Sequence, residues 1–366
     1  MQILIVCVTI IENDAIGNDV IAQLSVLKKA GYEVRLYATQ FDGRLKRSVI
    51  SRRELGKFIS NRENVVLYHH GIHWEEGEAL LREARCRRFM KYHNITPPEF
   101  FENYSPRYVQ ATRLGREQTR KFVESGWFEY YLADSGFTGR DLAGYGAPEE
   151  TISVVPPFHR IDEFSGQECN VSLTRELLDG RINVLFVGRM VPNKGHRHII
   201  EVMRRYVGMY GREIRVCVIG SVDSALDSYF RELEMTVDLH NLSDIIEFRG
   251  MVGFKDLYSY YLNSHVFLLM SEHEGFCVPI LEAQYTSVPV VALDRGAVRE
   301  TLGKEQIVIE EVDYDLFAAA VHTVARESDV RAYVSMQGRR NFDRYDGATL
   351  AARFQEAMAA CIGKTT

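Results

Sequence analysis

The sequence predicts an α/β protein built from two doubly wound domains, and three observations lead to this fold class. The chain has 366 residues, which favours two domains of roughly 150–200 residues. Its apolar runs are nearly continuous in Val, Ile, Leu and Phe, as expected of parallel strands covered on both faces. These runs alternate with longer amphipathic segments in both halves, which is the element order of doubly wound, Rossmann-like sheets.

The predicted strands are short apolar runs bounded by glycine or polar turns. In the first half they are Ile3–Val8, Glu33–Ala38, Val65–Tyr68, Arg88–Tyr92, Tyr130–Ala133 and Ile152–Val155. In the second half they are Ile182–Val187, Ile214–Ile219, Ile245–Phe248, Val266–Met270 and Val288–Ala292. The predicted helices are Asp19–Ala30, Arg107–Glu124, Gly195–Tyr210, Ala225–Leu239, Lys255–Leu262, Val278–Tyr285 and Ala348–Cys361.

The domain boundary is predicted at the prolines Pro156 and Pro157, which exclude a helix and stiffen the chain. We therefore expect a first domain at residues 1–160 and a second at residues 161–345. A C-terminal helix at residues 346–366 can cross back to the first domain. Two such domains are expected to face a central cleft, because ligands of open α/β sheets bind at the carboxyl ends of the strands.

Composition excludes several classes of protein. A net charge of −6 argues against a dedicated nucleic-acid binder. The six cysteines are scattered without paired spacing, which indicates free thiols in a reducing cytosol. The apolar start of the chain is too short for a membrane span and lacks the basic start of a signal peptide. We therefore expect a cytoplasmic protein.

The strongest candidate site follows the predicted strand Val266–Met270, where a loop leads into a helix. Glu274 lies in this loop and Glu282 in the first part of the helix, and two carboxylates at one strand end can bind vicinal sugar hydroxyls. Gly275 lets the backbone approach a ligand, and the backbone N–H groups around residues 276–278 can bind an anion or a hydroxyl. The spacing of the two acids supports equally well a second interpretation, in which they only complement the dipole at the start of the helix.

A second candidate site follows the strand Ile182–Val187, where Arg189 and Lys194 flank a turn between Gly188 and Gly195. Two cations that converge on a strand end suit a diphosphate, because charge-assisted hydrogen bonds to phosphate are strong. For either residue alone, a solvated basic loop is the better interpretation. The carboxylates at the other strand end favour the phosphate interpretation.

Three weaker signals complete the candidate sites. The loop before the first predicted helix contains Gly17 but lacks the GxGxxG pattern, so it indicates only a turn. His93 ends a predicted strand, where a substrate-binding histidine and a satisfied core histidine are equally compatible with the sequence, and His69 and His70 rank lower. No metal-ligand pattern is present, and we expect neither a metal nor a cofactor.

Taken together, these segments resemble the retaining glycosyltransferases of family 4, which share the GT-B fold. The similarity rests on Gly17, His93, Phe186–Arg189, Lys194-Gly195, the E-x7-E spacing of Glu274 and Glu282, Val288–Ala292, and Gly296 to Glu300. By this resemblance the second domain binds a nucleotide sugar and the first lies on the acceptor side.

The resemblance also implies a role for each candidate residue. Arg189 and Lys194 would hold the donor diphosphate, Glu274 the hydroxyls of the transferred sugar, and Glu282 the ribose. His93 would contact the sugar near its anomeric carbon. The remaining donor-binding residues would be Gly17, Gly188, Arg249, Met251, Val252, Gly275, Phe276, Cys277 and Val278.

The activity implied is transfer of a hexose with retention, by front-face attack assisted by the donor phosphate and without a metal. GDP-mannose is the first donor expected and UDP-hexoses follow, with a glycan or lipid-linked acceptor. Two basic clusters, Arg44–Arg62 and Arg82–Lys121, suggest an anionic acceptor or peripheral association with an anionic membrane, although a solvated face explains most of them equally well. The alternatives are a sugar-nucleotide epimerase of the same fold and a non-catalytic nucleotide-sugar-binding subunit.

Three positions depart from the family pattern. A single Gly17 stands where a pair of glycines is common, and Cys277 and Ser287 each stand where glycine is frequent. These departures leave the fold expectation intact and blur the geometry of the donor and acceptor sites.

Overall fold

The computed structural model describes residues 1–12 and 14–363. Its contacts divide the chain into two units. The first unit contains residues 1–98, residues 109–160 and the C-terminal stretch from Tyr345, and the second contains residues 99–108 and 161–344. The last three residues of the predicted segment 346–366 lie outside the described residues.

Strands and helices alternate along the chain. The strands are β1 (Gln2–Val6), β2 (Thr9–Ile10), β3 (Glu33–Tyr37), β4 (Gln40–Phe41), β5 (Val65–His70), β6 (Arg87–Tyr92), β7 (Tyr130–Ala133), β8 (Ile152–Val154), β9 (Ile182–Val187), β10 (Ile214–Ile219), β11 (Ile246–Gly250), β12 (Val266–Leu269), β13 (Val290–Leu293) and β14 (Ile307–Ile309). The helices are α1 (Ala15–Lys29), α2 (Arg52–Ser60), α3 (Glu75–Glu83), α4 (Pro106–Glu124), α5 (Gly136–Gly144), α6 (Val171–Leu177), α7 (His196–Tyr210), α8 (Asp227–Leu239), α9 (Phe254–Leu262), α10 (Val278–Tyr285), α11 (Val298–Leu302), α12 (Tyr314–Arg326), α13 (Ser328–Phe342) and α14 (Gly347–Gly363).

The first unit contains a six-stranded parallel sheet in the order β3-β1-β5-β6-β7-β8. Every residue of β5 is buried, in agreement with the continuous apolar pattern of a central strand. The chain runs from β1 to β3 in one direction and from β5 to β8 in the other. The order therefore reverses between β1 and β5, and the carboxyl ends of these two strands mark the ligand-binding point of such a sheet.

The second unit contains another six-stranded parallel sheet, in the order β11-β10-β9-β12-β13-β14, with three strands instead of two on one side of the reversal. Here the order reverses between β9 and β12, which pair directly. The loops that follow these two strands carry the basic and the acidic candidate residues. The expected fold class, two doubly wound Rossmann-like sheets, is confirmed.

The sequence prediction left out the strands β2, β4 and β14 and the helices α2, α3, α5, α6, α11, α12 and α13. The edge strand β14 was missed because its apolar run is only three residues long and half buried. Helix α1 starts four residues earlier than predicted, at Ala15, because Asp14 caps it by accepting the N–H of Gly17 at 3.0 Å. Gly17 therefore lies in the first helical turn instead of a preceding loop.

The C-terminal helix α14 packs against α1 in the first unit. Phe354 on α14 contacts Phe158 edge-on, and the guanidinium of Arg87 donates to the carbonyl oxygen of Cys361 at 2.8 Å. Across the described residues, no helix combines the length and the apolarity that crossing a membrane requires. The six cysteines are free thiols.

The two departures Cys277 and Ser287 both adopt left-handed backbone, with φ of 78° and 61°. Ser287 follows the end of α10, where its N–H bonds to the carbonyl of Gln284 and the next N–H, of Val288, bonds to the carbonyl of Ala283. This is a Schellman motif, in which glycine is the usual residue because a side chain destabilises left-handed backbone.

We expect Ser287→Gly to raise the free energy of unfolding by about 0.5–1 kcal/mol, because relief of the left-handed strain exceeds the added freedom of the unfolded chain. Chemical denaturation measures this change. Ser287→Ala is the matched control and should bring no gain, since it keeps the side-chain strain. Equal stability of the glycine and alanine variants would contradict the assignment of strain to this position.

Candidate functional site

The centre of the candidate site is an ion pair between the loops that follow β9 and β12. The Lys194 ammonium lies 2.7 Å from the Glu274 carboxylate, with the Glu274 side chain 5% exposed and that of Lys194 21% exposed. The loops meet because β9 and β12 are neighbours at the point where the strand order reverses. They are also joined by a backbone bond from the N–H of Glu272 to the carbonyl of Asn193 at 2.8 Å.

Two glycines allow this close approach of backbone. A Cβ on Gly195 would lie 1.9 Å from the carbonyl oxygen of Met270, and a Cβ on Gly296 would lie 2.3 Å from that of Glu274. Both have positive φ, at 69° and 65°. The carbonyl of Glu274 also accepts the N–H of Ala297 at 2.9 Å, so the loop that carries Glu274 is fixed from two sides.

Arg189 also follows β9, but it is not part of the Lys194–Glu274 ion pair. Its side chain is exposed and lines a cavity of about 270 Å³ with Tyr108, Val191, Ser221, Val222 and Asp223. The hydroxyl of Tyr108 donates to Asp223 at 2.7 Å, and this bond is the main reason that the pKa of Asp223 is lowered. The cavity thus combines one exposed cation with one ionised carboxylate, beside the strand end where a diphosphate is expected.

The loop 275–278 presents backbone groups ahead of α10. Cys277 is the left-handed residue that precedes the helix, and Val278 starts it. Phe276 is buried, and its carbonyl accepts the hydroxyl of Thr301 at 2.6 Å. Burial, together with the charge of Glu274, holds the pKa of the Cys277 thiol well above its usual range, so this cysteine stays protonated.

Glu282 lies on α10 and does not join the Lys194–Glu274 pair. It accepts the hydroxyl of Tyr261 at 2.6 Å. Burial raises the pKa of Glu282 from 4.5 to about 7. A carboxylate held this way can accept a hydrogen bond from a ligand hydroxyl, and Tyr261 orients it for that purpose.

We expect Glu282→Gln to stabilise the chain in a pH-dependent way. The folded chain retains the Glu282 proton up to about pH 7, whereas the unfolded chain releases it near pH 4.5. The stability that Glu282 contributes is therefore full below pH 4.5 and lost as the pH rises through 7. The glutamine variant should match the parent at low pH and exceed it by about 1–3 kcal/mol at pH 8.

Denaturant unfolding at several pH values measures this difference. The exposed Glu234→Gln is the matched control and should show a constant, small difference. A stability gap between parent and Glu282→Gln that does not grow with pH would contradict the raised pKa.

Arg249, Met251 and Val252, the residues expected near a nucleotide base, differ in their exposure and in their contacts. Arg249 ends β11, and its guanidinium is paired with Glu247 and Glu176. Met251 is 81% exposed, and Val252 is half buried. The Arg249 side chain is therefore already neutralised by the two carboxylates.

Gly188 has a packing role at the same strand end. Its carbonyl oxygen lies 1.8 Å from where a Cβ on Gly220 would stand, so the loops after β9 and β10 touch through their backbones. This contact needs glycine at position 220, which the sequence reasoning did not single out.

In the first unit, His93 and Gly17 both lie at the carboxyl edge of the sheet. Both ring nitrogens of His93 are already bonded, Nδ1 to Asp134 at 3.0 Å and Nε2 to His69 at 2.9 Å. The N–H of Gly17 is taken by Asp14, and a Cβ at Gly17 would lie 2.0 Å from the carbonyl oxygen of Ile11. Gly17 therefore serves a close backbone contact within this unit.

Sequence reasoning missed several residues that shape these sites. They are Tyr261, which orients Glu282, Gly220, which permits a close backbone contact, and Asp19, Gln23, Lys91 and Asp134, which surround His93 and His69. The position of Asp134 carried a usable signal, since it directly follows β7 of the first sheet.

Comparison with known proteins gives a consistent family. Residues 175–341 match the model of the glycosyl transferases group 1 family. A D-inositol 3-phosphate glycosyltransferase of Geodermatophilus obscurus is 27% identical over 200 residues, which is 53% of this chain and 44% of the relative. The capsular polysaccharide biosynthesis glycosyltransferase CapM of Staphylococcus aureus is 25% identical over 173 residues, 46% of this chain and 43% of the relative. The chain thus spans less than half the length of these relatives.

Solved structures agree in fold over the whole chain. Anabaena HepE in complex with UDP and glucose has a TM-score of 0.73 and 16% identity, covering 98% of this chain and 100% of that one. Together with the two doubly wound sheets, these matches confirm the resemblance identified from the sequence. Residues 175–341 are therefore similar to the group 1 glycosyl transferases, and the chain shares the fold of the solved HepE structure.

Proposed function

We propose that the chain transfers a hexosyl group from a nucleotide-diphosphate sugar to a glycan or lipid-linked acceptor, with retention and without a metal ion. The observation that carries this proposal is the Lys194–Glu274 pair at the switch point of the second sheet. It places a cation for phosphate and a carboxylate for hydroxyls within hydrogen-bond distance of each other. A nucleotide sugar presents those two groups side by side.

The charges of the site suit departure of a nucleoside diphosphate. Negative charge grows on the diphosphate in the transition state, and fixed cations stabilise it more strongly there than in the ground state. Lys194 has three N–H donors and uses one on Glu274, so donors remain for a phosphate oxygen. Arg189 supplies a second, exposed cation after the same strand.

In this proposal the two carboxylates bind different parts of the donor. Glu274 holds hydroxyls of the transferred hexose, and the backbone of Gly275 to Val278 assists. Glu282, oriented by Tyr261, accepts the ribose hydroxyls. By the resemblance, the departing phosphate itself accepts the proton of the acceptor hydroxyl, so the mechanism requires no enzymic nucleophile.

GDP-mannose and UDP-hexoses are the donors we propose to test first. The solved HepE complex holds UDP and glucose, which supports a UDP-hexose as strongly as the family resemblance supports mannose. Thermal-shift screening against nucleotides and nucleotide sugars identifies the donor, because a ligand at 100 times its Kd stabilises by about 2.7 kcal/mol. The anomeric configuration of the product, read by NMR, tests retention.

Three outcomes of that screen separate the alternatives. Glycoside formation that persists in EDTA supports the proposal. Epimerisation of the donor without an acceptor would favour the epimerase. A donor that binds but is never consumed, with any acceptor fraction, would favour a non-catalytic subunit.

Glu274→Gln tests the assignment within the site. It keeps the shape of the side chain and removes the charge, so we expect a loss of turnover with the true donor. The exposed Glu234→Gln is the control. Unchanged kinetics in Glu274→Gln would remove the sugar-binding role.

We further propose that the first unit associates peripherally with anionic membrane. Arg52, Arg53 and Lys57 are exposed on α2, within the basic cluster Arg44–Arg62. Basic side chains near anionic lipid contribute about 1 kcal/mol each. Co-sedimentation with anionic vesicles at low salt should fall when all three are changed to glutamine, and no sedimentation of the parent chain would refute the proposal.

A further inference from the structure

A chain of buried hydrogen bonds surrounds His69 and His93 at the carboxyl edge of the first sheet. It runs from α1 across the ends of β5 and β6 to the residue after β7, and all of its side chains are buried or nearly so. Its members are Asp19, Gln23, His69, His93, Asp134 and Lys91. Of these residues, only His93 has a role implied by the family resemblance, which is contact with the transferred sugar.

The first half of the chain determines the tautomer of His69. Asp19 is fully buried and accepts two N–H groups, from the backbone of Phe158 and from the side chain of Gln23, each at 2.9 Å. The amide oxygen of Gln23 is thereby turned towards Nε2 of His69, at 3.0 Å. An amide oxygen only accepts, so Nε2 of His69 carries the hydrogen.

His69 is neutral, because burial holds its pKa well below the usual value. A neutral imidazole with its hydrogen on Nε2 has a lone pair on Nδ1. That lone pair faces Nε2 of His93 at 2.9 Å. Nε2 of His93 must therefore be the donor in this bond.

The second half of the chain determines the other nitrogen of His93. Its Nδ1 lies 3.0 Å from the carboxylate of Asp134. The Lys91 ammonium lies 2.6 Å from the other oxygen of Asp134, and this cation and His93 hold the pKa of that buried carboxyl below its usual value. An ionised carboxylate only accepts, so Nδ1 of His93 also carries a hydrogen.

We propose that His93 is a buried imidazolium, held doubly protonated by Asp134 and by neutral His69 acting as positioning residues. Burial raises the pKa of Asp19, and the neighbouring charges of Lys91 and His93 oppose that rise. With Asp19 ionised, the cluster contains the cations Lys91 and His93 and the anions Asp19 and Asp134, and its net charge is zero. Buried charges are tolerated when they are paired and hydrogen-bonded in this way.

The same trio of Asp19, His69 and His93 has the composition of a metal site, and its ligand atoms lie within 4.8 Å of one another. The ring geometry opposes that interpretation. The ring centroids are 5.1 Å apart with 2.9 Å between the facing nitrogens, so the two nitrogens point head-on at each other. Metal–nitrogen bonds of about 2.0–2.1 Å need lone pairs that converge beside that line. A proton fits between these nitrogens, and a metal ion does not.

One consequence concerns the proposed transfer reaction, on which this step rests. A doubly protonated His93 has no lone pair, so it cannot act as a general base. Its charge is balanced by Asp134 and both of its N–H groups are bonded, so its role in the transfer is to hold the carboxyl ends of β5 and β6 in place.

NMR of the full-length chain with ¹⁵N-labelled histidine tests the protonation state without any substrate. We expect both ring nitrogens of His93 to be protonated at pH 7, where an ordinary histidine is mostly neutral. His70, whose pKa burial lowers to about 3, is the internal reference for a neutral ring. A neutral His93 at pH 7, with the proton on Asp19 instead, would overturn the proposal.

Asp134→Asn provides a second readout, with folding checked by circular dichroism. We expect His93 to become neutral near pH 7 in this variant, and kcat/KM to recover by about tenfold per pH unit on acidification as His93 regains its proton. The parent should show no such recovery. A loss that is independent of pH, with His93 still doubly protonated, would mean that Asp134 does not hold the proton.

Metal analysis of the purified chain and a thermal shift with Zn²⁺ or Mn²⁺ against EDTA complete the test. We expect less than one equivalent of metal and no shift that depends on His69. One equivalent of bound metal that His69→Gln abolishes would overturn the proposal. The NMR and metal arms do not use the transfer reaction, so they stand even if the proposed function fails.

Discussion

Lys194→Ala should reduce turnover by roughly 10²–10³-fold while the chain still folds, because the change removes a charge that stabilises the departing diphosphate. It should also lower the free energy of unfolding by about 1–3 kcal/mol, since Glu274 is only 5% exposed and loses its ion-pair partner. Steady-state kinetics and denaturant unfolding on the same preparation measure the two effects.

A double variant separates the structural effect from the chemical one. Lys194→Ala combined with Glu274→Gln removes both charges, so we expect much of the lost stability to return while turnover stays low. Lys304→Ala is the control, because Lys304 is an exposed lysine of the same unit and should leave both quantities nearly unchanged. Turnover near the parent value in Lys194→Ala would remove the diphosphate role.

Gly195→Ala should have the largest effect on stability, lowering the free energy of unfolding by about 3–5 kcal/mol. The new Cβ would stand 1.9 Å from the carbonyl oxygen of Met270, and the position has φ of 69°. The loops after β9 and β12 must separate to relieve this clash. Lys194 would then move away from Glu274, so activity should fall at least as far as in Lys194→Ala.

Gly208→Ala is the matched control, in the helix that Gly195 precedes. Gly208 lies inside α7, and a Cβ there would meet nothing within 4 Å. Alanine at this position should raise the free energy of unfolding by about 0.5–1 kcal/mol and leave activity unchanged. A Gly195→Ala variant as stable as the parent would show that the two loops can separate without cost.

The candidate site illustrates how far local pattern reaches. Glu274 and Glu282 could be found because both lie close to a buried strand and a helix start within one short segment. Spacing alone left them divided between sugar binding and a helix cap. The structure shows that the two acids have different partners: Glu274 pairs with Lys194, and Glu282 accepts a hydrogen bond from Tyr261.

Arg249 illustrates where the pattern stops. Its position after a strand suggested a site near the base, but its guanidinium is paired with Glu176 and Glu247. Glu176 is 73 residues away in sequence. Partners at such separations depend on strand order, which no local window contains. The cluster around His93 was incomplete for the same reason, since its members come from α1, β5, β6 and the turn after β7.

Glycine positions show a related limit. The frequent glycines that are replaced here by Cys277 and Ser287 both correspond to left-handed backbone, so the pattern recorded a real conformational demand. The sequence could not show that Gly195 and Gly296 are required by contact with the backbone of another loop.

The sequence by itself determined the two doubly wound sheets, because strands buried on both faces must be continuously apolar and therefore leave a readable pattern. It also determined which residue types stand at each strand end. Only the tertiary structure decided which ends are neighbours. The strand order reverses between β9 and β12, which brings Lys194 onto Glu274, and between β1 and β5, which brings Asp19 and Gln23 beside His69. Hydrogen bonds and ion pairs act over a few ångströms, but the residues that form them here are tens of residues apart in sequence. They form a site only because the strand order places them next to each other.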